Sequence, residues 1–230
     1  MKLTKITSRT IMLTVSESAD ATVNLALILG NKHNFIIDTG VGPSSVQPLL
    51  EQIGSNSKPL IVINTHADWD HFYGNCAFED KIIVSHKLCR ERMDKEWEKW
   101  AKWVDEKSCI TDGEVRKCLP NMVFEGNLHF PEDGISLFET PFHTADDISI
   151  YDAVDKILHI GDNFGFENGI AYPWGKEHDA YKRVVDIYRQ YDFDICLSGH
   201  SEPQKQDAIA MMETAEEPWL EYWRQNSETN

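Results

Sequence analysis

A short segment with four potential metal ligands constrains this chain more than any other feature of its sequence. Residues 64–71 read Asn-Thr-His-Ala-Asp-Trp-Asp-His and directly follow a strand-like apolar run at 60–63. The potential ligands are His66, Asp68, Asp70 and His71. Imidazole and carboxylate are ligand types that suit zinc, iron and manganese, and alternate residues of a tight turn can face two adjacent sites. The alternative is a cluster of polar surface residues in which Asp and His cap a following helix.

Three further residues of ligand type each follow a predicted strand. His143 comes after a strand at 135–140, Asp162 after a strand at 156–160, and His200 after a strand at 194–198. One such residue alone is more often an ordinary loop residue. Together with the 64–71 segment, they indicate a single edge at which loops converge, and such edges are where functional sites are built.

The apolar periodicity predicts a strand-rich first part of the chain, followed by strands that alternate with helices. Strands are expected at 11–15, 23–29, 34–37, 60–63, 82–85, 135–140, 148–152, 156–160 and 194–198, and helices at 44–54, 86–107, 181–191 and 204–226. The segment 109–126 has weak periodicity and receives no assignment. Two strand-rich halves without a low-complexity linker predict two sheets packed face to face with helices outside, in a single α/β (α+β) domain over 1–230.

The order and spacing of these segments resemble the metallo-β-lactamase superfamily. The signature of that family is Thr-His-x-His-x-Asp-His, followed by a later His, a bridging Asp and a last His. The match runs from Asp38, in an Ile-Ile-Asp-Thr-Gly segment, to His200. The resemblance implies an αββα four-layer sandwich of the metallo-β-lactamase type, with two divalent metal ions at one edge between the sheets.

The resemblance also implies a role for each matching residue. It assigns His66, Asp68 and His143 to the first metal ion, Asp70, His71 and His200 to the second, and Asp162 to both. Asp38 is similar to an Asp of the family that orients the ligands, although an ordinary Asp-Thr-Gly turn explains it nearly as well.

Two positions depart from the family pattern. Asp68 stands where the signature has a second His, so the site gains a third carboxylate. A more anionic, oxygen-rich site favours iron or manganese relative to zinc, and the diiron flavoproteins related to this family also have a carboxylate here. Alternatively, Asp68 binds weakly and leaves one firmly held ion. Phe142 stands where Gly is usual and is expected to narrow the entrance of the site.

The function implied by the resemblance is metal-dependent hydrolysis of a small-molecule substrate. A divalent ion lowers the pKa of bound water to about 7, and Asp70 is the residue expected to orient that water. A small ester, thioester or lactone is the preferred substrate class. A phosphodiesterase or phosphatase would use the same metal pair, and a basic or amide-rich contact near it would favour that alternative.

The sequence leaves two other function classes open. A diiron redox protein would require electrons from a separate protein, because 230 residues leave no room for a flavodoxin-like domain. A non-catalytic binding module would leave the seven ligand-type residues unexplained.

Aromatic residues near the motifs bear on the substrate. They are Trp69, Tyr73, Phe166, Tyr172 and Trp174, with the tryptophans at 97–103 of the long predicted helix. An aromatic wall would suit an apolar acyl chain or a cationic group. Packing around a loop, or of a helix face on the core, explains the same residues equally well.

Composition narrows the partners and the compartment. The net charge of −16 argues against nucleic acid, whose binding needs a clustered excess of Lys and Arg. The dense basic stretch at 87–107 is interleaved with acidic residues, which is typical of a solvated helix face. The longest apolar runs are too short to cross a bilayer, and no secretory signal is evident. Five widely spaced cysteines without a CxxC pair fit a reducing cytoplasm.

The last predicted helix carries more large apolar side chains than a solvated tail needs. They are Trp219, Leu220, Tyr222 and Trp223. These residues either pack on the body of the protein or form a homodimer contact.

Overall fold

The first sheet contains seven strands that follow one another in chain order. The computed structural model describes residues 1–19, 21–55, 58–205 and 207–226, with side chains up to Tyr222. The strands are β1 (Lys2–Lys5), β2 (Thr10–Ser16), β3 (Thr22–Leu29), β4 (Asn34–Ile37), β5 (Leu60–Ile63), β6 (Ile82–His86) and β7 (Met122–Phe124). Neighbours from β1 to β4 are antiparallel, and neighbours from β4 to β7 are parallel.

The second sheet contains five strands in the order β14-β11-β10-β9-β8. Its members are β8 (Asn127–Phe130), β9 (Ile135–Glu139), β10 (Ile148–Asp152), β11 (Ile157–His159) and β14 (Ile195–Leu197). β11 and β14 are parallel, and the other neighbours are antiparallel. Between β11 and β14 in the chain, β12 (Phe164–Glu167) and β13 (Ile170–Pro173) form a separate hairpin.

Helices cover the outer face of each sheet. They are α1 (Gln47–Ile53), the single turn α2 (Trp69–Phe72), α3 (Lys87–Lys107), α4 (His178–Tyr188) and α5 (Ala208–Asn226), and a 3₁₀ turn spans Tyr73–Phe78. Leu49 of α1 and Met93 of α3 belong to the core of the first sheet, whereas Tyr181 of α4 and Met212 of α5 belong to the core of the second. Within the described ranges, no helix is both long and apolar enough to span a bilayer.

The two sheets pack on each other because side chains alternate along each strand. In β3, Leu25 and Leu27 face the helical layer, whereas Ala26 and Ile28 face the second sheet. Ile150 of β10 lies in the same middle layer as Ala26 and Ile28. The predicted αββα four-layer sandwich is therefore confirmed.

The elements that the sequence does not predict are all short. They are β1, β7, β8, β12, β13 and α2, each of three or four residues, and the six-residue 3₁₀ turn at Tyr73–Phe78. Three or four positions hold too little of a period to be recognised. In β7, which lies wholly within the unassigned segment, Met122 and Val123 are both 43% exposed, so no apolar alternation marks it.

The predicted helices shift at their ends. The helix expected at 44–54 begins at Gln47, and the helix expected at 181–191 spans His178–Tyr188. The last helix begins at Ala208 rather than at Gln204. Gln204 instead pairs with Cys196 through two backbone hydrogen bonds of 2.9 and 2.7 Å, which hold this segment against β14.

Trp219 of α5 packs on the body of the protein. It is 7% exposed, and its ring centroid lies 5.1 Å from that of Tyr181. Its Nε1 donates a hydrogen bond of 3.2 Å to the carbonyl of Gly175. The side chain of Trp223 lies outside the described residues, and the homodimer stays a prediction.

Truncation of this buried ring tests the contribution of α5. We expect Trp219→Ala to lower the free energy of unfolding by about 3–5 kcal/mol, because the substitution leaves a large apolar cavity. Tyr222→Ala is the matched control on the same helix, since Tyr222 is 59% exposed, and it should change stability by less than about 0.5 kcal/mol. Denaturant unfolding followed by circular dichroism measures both, and equal losses would contradict this packing.

Candidate metal centre

The seven candidate ligands lie at one edge, where four strands of the two sheets end. His66 and Asp68 follow β5 directly, and His143, Asp162 and His200 follow β9, β11 and β14. The structure places Asp70 and His71 on the helical turn α2 rather than on a loop. The backbone is extended at Asp68 and helical immediately after it, so side chains of neighbouring residues diverge into two groups.

The donor atoms form two groups of three that share a centre. His66, Asp68 and His143 form one group, and Asp70, His71 and His200 form the other, with all donor atoms of each group within 4.8 Å of one another. Asp162 lies with His66 and His71 at the same spacing. This grouping is the arrangement that two metal ions and one shared carboxylate would require.

Asp162 occupies the centre of the site. Its Oδ2 lies 3.6 Å from Nε2 of His66, 3.3 Å from Nε2 of His71 and 3.0 Å from Nε2 of His200. In the first group, Oδ2 of Asp68 lies 3.2 Å from Nε2 of His143 and 3.7 Å from Nε2 of His66. The Nε2 atoms therefore point inward, towards the carboxylate oxygens.

Three histidines are oriented by hydrogen bonds at the opposite ring nitrogen. Nδ1 of His71 contacts Oδ2 of Asp38 at 2.8 Å, and Nδ1 of His200 contacts the carbonyl of Thr22 at 2.6 Å. Nδ1 of His66 contacts Oγ1 of Thr65 at 3.0 Å. Because carbonyl and carboxylate oxygens only accept, Nδ1 donates in His71 and His200, which leaves Nε2 as the nitrogen that binds a metal once its own proton is displaced.

Asp38 connects the strand ends beneath the site. It is buried, and it accepts hydrogen bonds from the backbone N–H of Thr65 at 2.8 Å and from the Thr65 hydroxyl at 2.7 Å, besides the one from His71. The Thr65 hydroxyl donates its only proton to Asp38, so its oxygen accepts the hydrogen bond from Nδ1 of His66. Asp38 has a φ of 57°, a left-handed conformation that Asp adopts more readily than most residues. This geometry supports the orienting role rather than an ordinary turn.

The site fits divalent metal ions on the chemistry of its buried atoms. In the described part of the chain, Nε2 of His66, Nε2 of His71 and Oδ1 of Asp162 are buried without a hydrogen-bond partner. Buried polar atoms are seldom left in this state. Inward-facing imidazole nitrogens and carboxylate oxygens that lack hydrogen-bond partners are what a metal site presents.

The pKa shifts of the candidate ligands indicate that the metal-free site stabilises positive charge. Burial and His71 lower the pKa of His66, but the carboxylates of Asp162 and Asp68 outweigh them and raise it to about 9. Burial also opposes charge on His71 and His200, yet Asp162 leads the interactions that hold both pKa values well above the usual range. Conversely, burial raises the pKa of Asp162, but the three histidines hold it well below its usual range.

The sequence did not reveal two charged residues that contact the ligands. Arg92 of α3 forms an ion pair with Asp68, although its stretch reads as a solvated helix face. Glu17 lies between β2 and β3, with Oε1 3.4 Å from Nδ1 of His200. Neither residue has a local motif, because both reach the site from distant parts of the chain.

The site opens into a cavity of about 470 Å³ that contains acidic, imidazole and aromatic groups. Its lining residues are Glu17, Ala21, Thr22, Asp68, Asp70, His143, Asp162, Trp174 and His200. A second cavity of about 650 Å³ shares Trp174 and His200 with it and also includes Phe166 and Tyr172. Among the described residues, no Lys or Arg lines either cavity.

Other aromatic residues lie elsewhere. Trp69 and Tyr73 are buried against α3, where Tyr73 packs on Trp97 at a centroid distance of 5.3 Å. The expectation that Phe142 narrows the entrance is wrong, because its ring is buried against Phe164 and lines neither cavity. The apolar contacts of Phe142 with the core of the second sheet hold its ring away from the polar site.

Metal uptake by the metal-free protein should release protons. Below about pH 9, His66 carries a proton that a metal ion must displace, so apparent zinc affinity should rise as the pH increases from 6 to 9. At pH 7.5 we expect roughly three protons per chain, from His66, His71 and His200, measured with an indicator in weakly buffered solution. His66→Gln should release about one proton fewer. The exposed His129→Gln is the control and should match the parent; uptake without proton release would contradict the assignment.

Solved structures with the same fold share little sequence with this chain. The metallo-β-lactamase DIM-1 has a TM-score of 0.70 at 16% identity, with 94% of this chain and 96% of that chain covered. The metallo-β-lactamase from Pontibacter korlensis has a TM-score of 0.68 at 20% identity, with 94% and 98% covered. These similarities establish the fold.

Curated relatives match over part of their length. Acyl-coenzyme A thioesterase MBLAC2 from Bos taurus is 22% identical over 160 residues, which are 60% of this chain and 57% of that protein. The protein of the same name from Gallus gallus is 23% identical over 163 residues, 60% of this chain and 56% of that protein. The chain thus spans a little over half the length of the curated relatives that it matches.

The family is established by a match over most of the chain. Residues 20–200 match the Metallo-beta-lactamase superfamily, and this region contains all seven candidate ligands. The chain therefore belongs to the metallo-β-lactamase superfamily and has the fold of a metal-dependent hydrolase.

Proposed function

We propose that the chain hydrolyses a small ester or thioester with the help of two divalent metal ions. His66, Asp68 and His143 would hold the first ion, Asp70, His71 and His200 the second, and Asp162 both. The observation that carries the proposal is that the two three-residue donor groups meet at Asp162, which lies with His66 of the first group and His71 of the second. The inward-facing Nε2 atoms of His66 and His71, which are buried without a hydrogen-bond partner, support it.

The chemistry of such a site divides between the ions and the protein. When bound, the ions would supply Lewis acidity, which lowers the pKa of water and polarises a carbonyl oxygen. Asp70 is the proposed catalytic residue, because its Oδ2 lies 3.4 Å from Nε2 of both His71 and His200 and the residue lines the cavity. Burial raises the pKa of Asp70, but His71 and His200 lower it. An ionised Asp70 can orient the attacking water by accepting its hydrogen bond.

The substrate-facing side of the site favours a neutral acyl group. Glu17 and Asp70 place carboxylates on the cavity, and the described lining contains no Lys or Arg to bind a phosphate or a carboxylate. Trp174 provides an apolar wall beside the ligands, with its ring centroid 5.3 Å from that of His200. An uncharged ester or thioester suits this lining better than a phosphoester, which needs charge-assisted donors. The same lining gives the phosphodiesterase alternative no support.

The similarity to MBLAC2 proteins supports a thioester, rather than an oxygen ester, as the substrate. MBLAC2 proteins are named as acyl-coenzyme A thioesterases, although this chain covers only part of them. Coenzyme A is polyanionic, and the described residues that line the two acidic cavities include no Lys or Arg to contact its phosphates. We therefore propose a thioester with a small, neutral thiol portion as the substrate.

The cellular setting is part of the proposal. All five cysteines are free thiols, and Cys76, Cys89 and Cys196 are buried. Free thiols of this kind support a reducing compartment such as the cytoplasm.

A comparison of three substrates tests the proposal. We expect kcat/KM for S-ethyl thioacetate to exceed that for acetyl-coenzyme A and for bis-p-nitrophenyl phosphate by a factor of about 10 or more, because each unmatched charge costs about 1–3 kcal/mol in such a site. Thiol release or absorbance of nitrophenolate measures the rates on zinc-loaded protein. A preference for either anionic substrate would contradict the neutral-substrate assignment.

Two variants show whether the activity belongs to this site. Asp70→Asn keeps an oxygen donor but removes the charge, and should lower kcat by about 10²–10⁴. Asp80→Asn removes a carboxylate whose side chain is 76% exposed and pairs with Lys81, and it should leave the rate unchanged. Equal rates in both variants would assign the activity to a different site or to a contaminant.

A further inference from the structure

Arg92 reaches the candidate metal centre from the buried side of α3. Its Nη2 donates to Oδ1 of Asp68, and its Nη1 donates to Oδ1 of Asp146 at 3.1 Å. A third contact, from Nε to Oε2 of Glu96, is 3.4 Å long. The Arg92 side chain is 23% exposed, so these contacts are partly buried.

Asp146 holds the guanidinium in place from behind. Asp146 is buried, and its Oδ2 accepts a hydrogen bond of 2.8 Å from the backbone N–H of Ala67. Trp100, further along α3, donates a hydrogen bond of 3.1 Å from its Nε1 to the carbonyl of Ala67. Ala67, between His66 and Asp68, is thus tied to α3 directly through its carbonyl and indirectly through its N–H, by way of Asp146 and Arg92.

This arrangement leaves Asp68 a single oxygen for the metal centre. Oδ1 is engaged by Arg92, whereas Oδ2 faces Nε2 of His143 at 3.2 Å and Nε2 of His66 at 3.7 Å. A histidine at this position would likewise present a single donor atom. The guanidinium also places a positive charge against the extra carboxylate that distinguishes this site.

We propose that Arg92 is a positioning residue that makes Asp68 a one-oxygen, charge-compensated donor, so that the first site keeps a preference for zinc. The inference rests on the proposed metal-binding function. It reverses the expectation from sequence that Asp68 favours iron or manganese, because that expectation treated the third carboxylate as a free, uncompensated oxygen ligand. Hydrogen-bonded partners of ligands tune metal sites in this way.

The test compares the loss of Arg92 in two backgrounds. Metal-free wild type, Arg92→Ala, Asp68→His and the double variant are titrated with Zn²⁺ and separately with Mn²⁺ against a chromophoric chelator. In the Asp68 background, we expect Arg92→Ala to weaken zinc binding at the first site by about 10- to 100-fold, with little loss of Mn²⁺ affinity. In the Asp68→His background, loss of Arg92 should leave zinc binding unchanged or slightly tighter, because no carboxylate needs the guanidinium.

Additional variants separate positioning from general damage to the fold. Arg92→Lys keeps a positive charge but cannot bridge Asp68 and Asp146 with a rigid fork, so its zinc affinity should lie between those of wild type and Arg92→Ala. Arg90→Ala is the matched control, since Arg90 of the same helix donates to the carbonyl of Pro120 instead, and it should bind zinc as wild type does. Thermal unfolding of each metal-free variant checks the fold.

The outcomes distinguish this inference from the proposed function. Failure of wild type to bind zinc would remove the proposed function itself. If wild type binds zinc, an equal loss from Arg92→Ala in both backgrounds would assign Arg92 a merely structural role. An unchanged Zn²⁺-to-Mn²⁺ preference in Arg92→Ala would likewise overturn the inference.

Discussion

The burial of carboxylates and imidazoles together at one edge is the constraint on which this structure depends. Asp70 and Asp162 are each 5% exposed, and His66 and His71 are fully buried. Charges in such surroundings are costly unless opposite charges and hydrogen bonds compensate them. Without metal, the raised pKa values of the histidines supply positive charge as protons. Divalent ions would supply the same charge more compactly, which is why the site suits them.

The fold meets this constraint with hydrogen bonds that hold the ligands and their neighbouring residues from the side opposite the metal ions. Asp38, at the end of β4, fixes the start of the 64–71 segment through Thr65 and orients the ring of His71. On the other side, Asp146 and Arg92 fix the peptide of Ala67 and the carboxylate of Asp68. The ligands therefore keep their geometry through groups on rigid strands and on a long helix, and such pre-organisation is what a metal-dependent reaction requires.

The parts that follow from local sequence were predictable, and the parts that depend on packing were not. The strands at 34–37, 60–63 and 148–152 have the predicted bounds, because each is a dense apolar run next to polar residues. Arg92 was not foreseen, because a charge on a mixed helix face does not reveal the rotation of the helix. It meets Asp68 across 24 positions, and Asp146 meets Ala67 across 79. Phe142 was misjudged for the same reason, since packing against Phe164 decided its direction.

Metal content tests the proposed dinuclear centre most directly, because the role of each ligand depends on two ions that share Asp162. Protein is incubated with zinc, iron or manganese, freed of unbound metal and examined by elemental analysis beside Asp162→Ala. We predict close to two ions per chain in the parent and the loss of at least about one in the variant. A parent that binds no metal, or a variant that retains both ions, would contradict it.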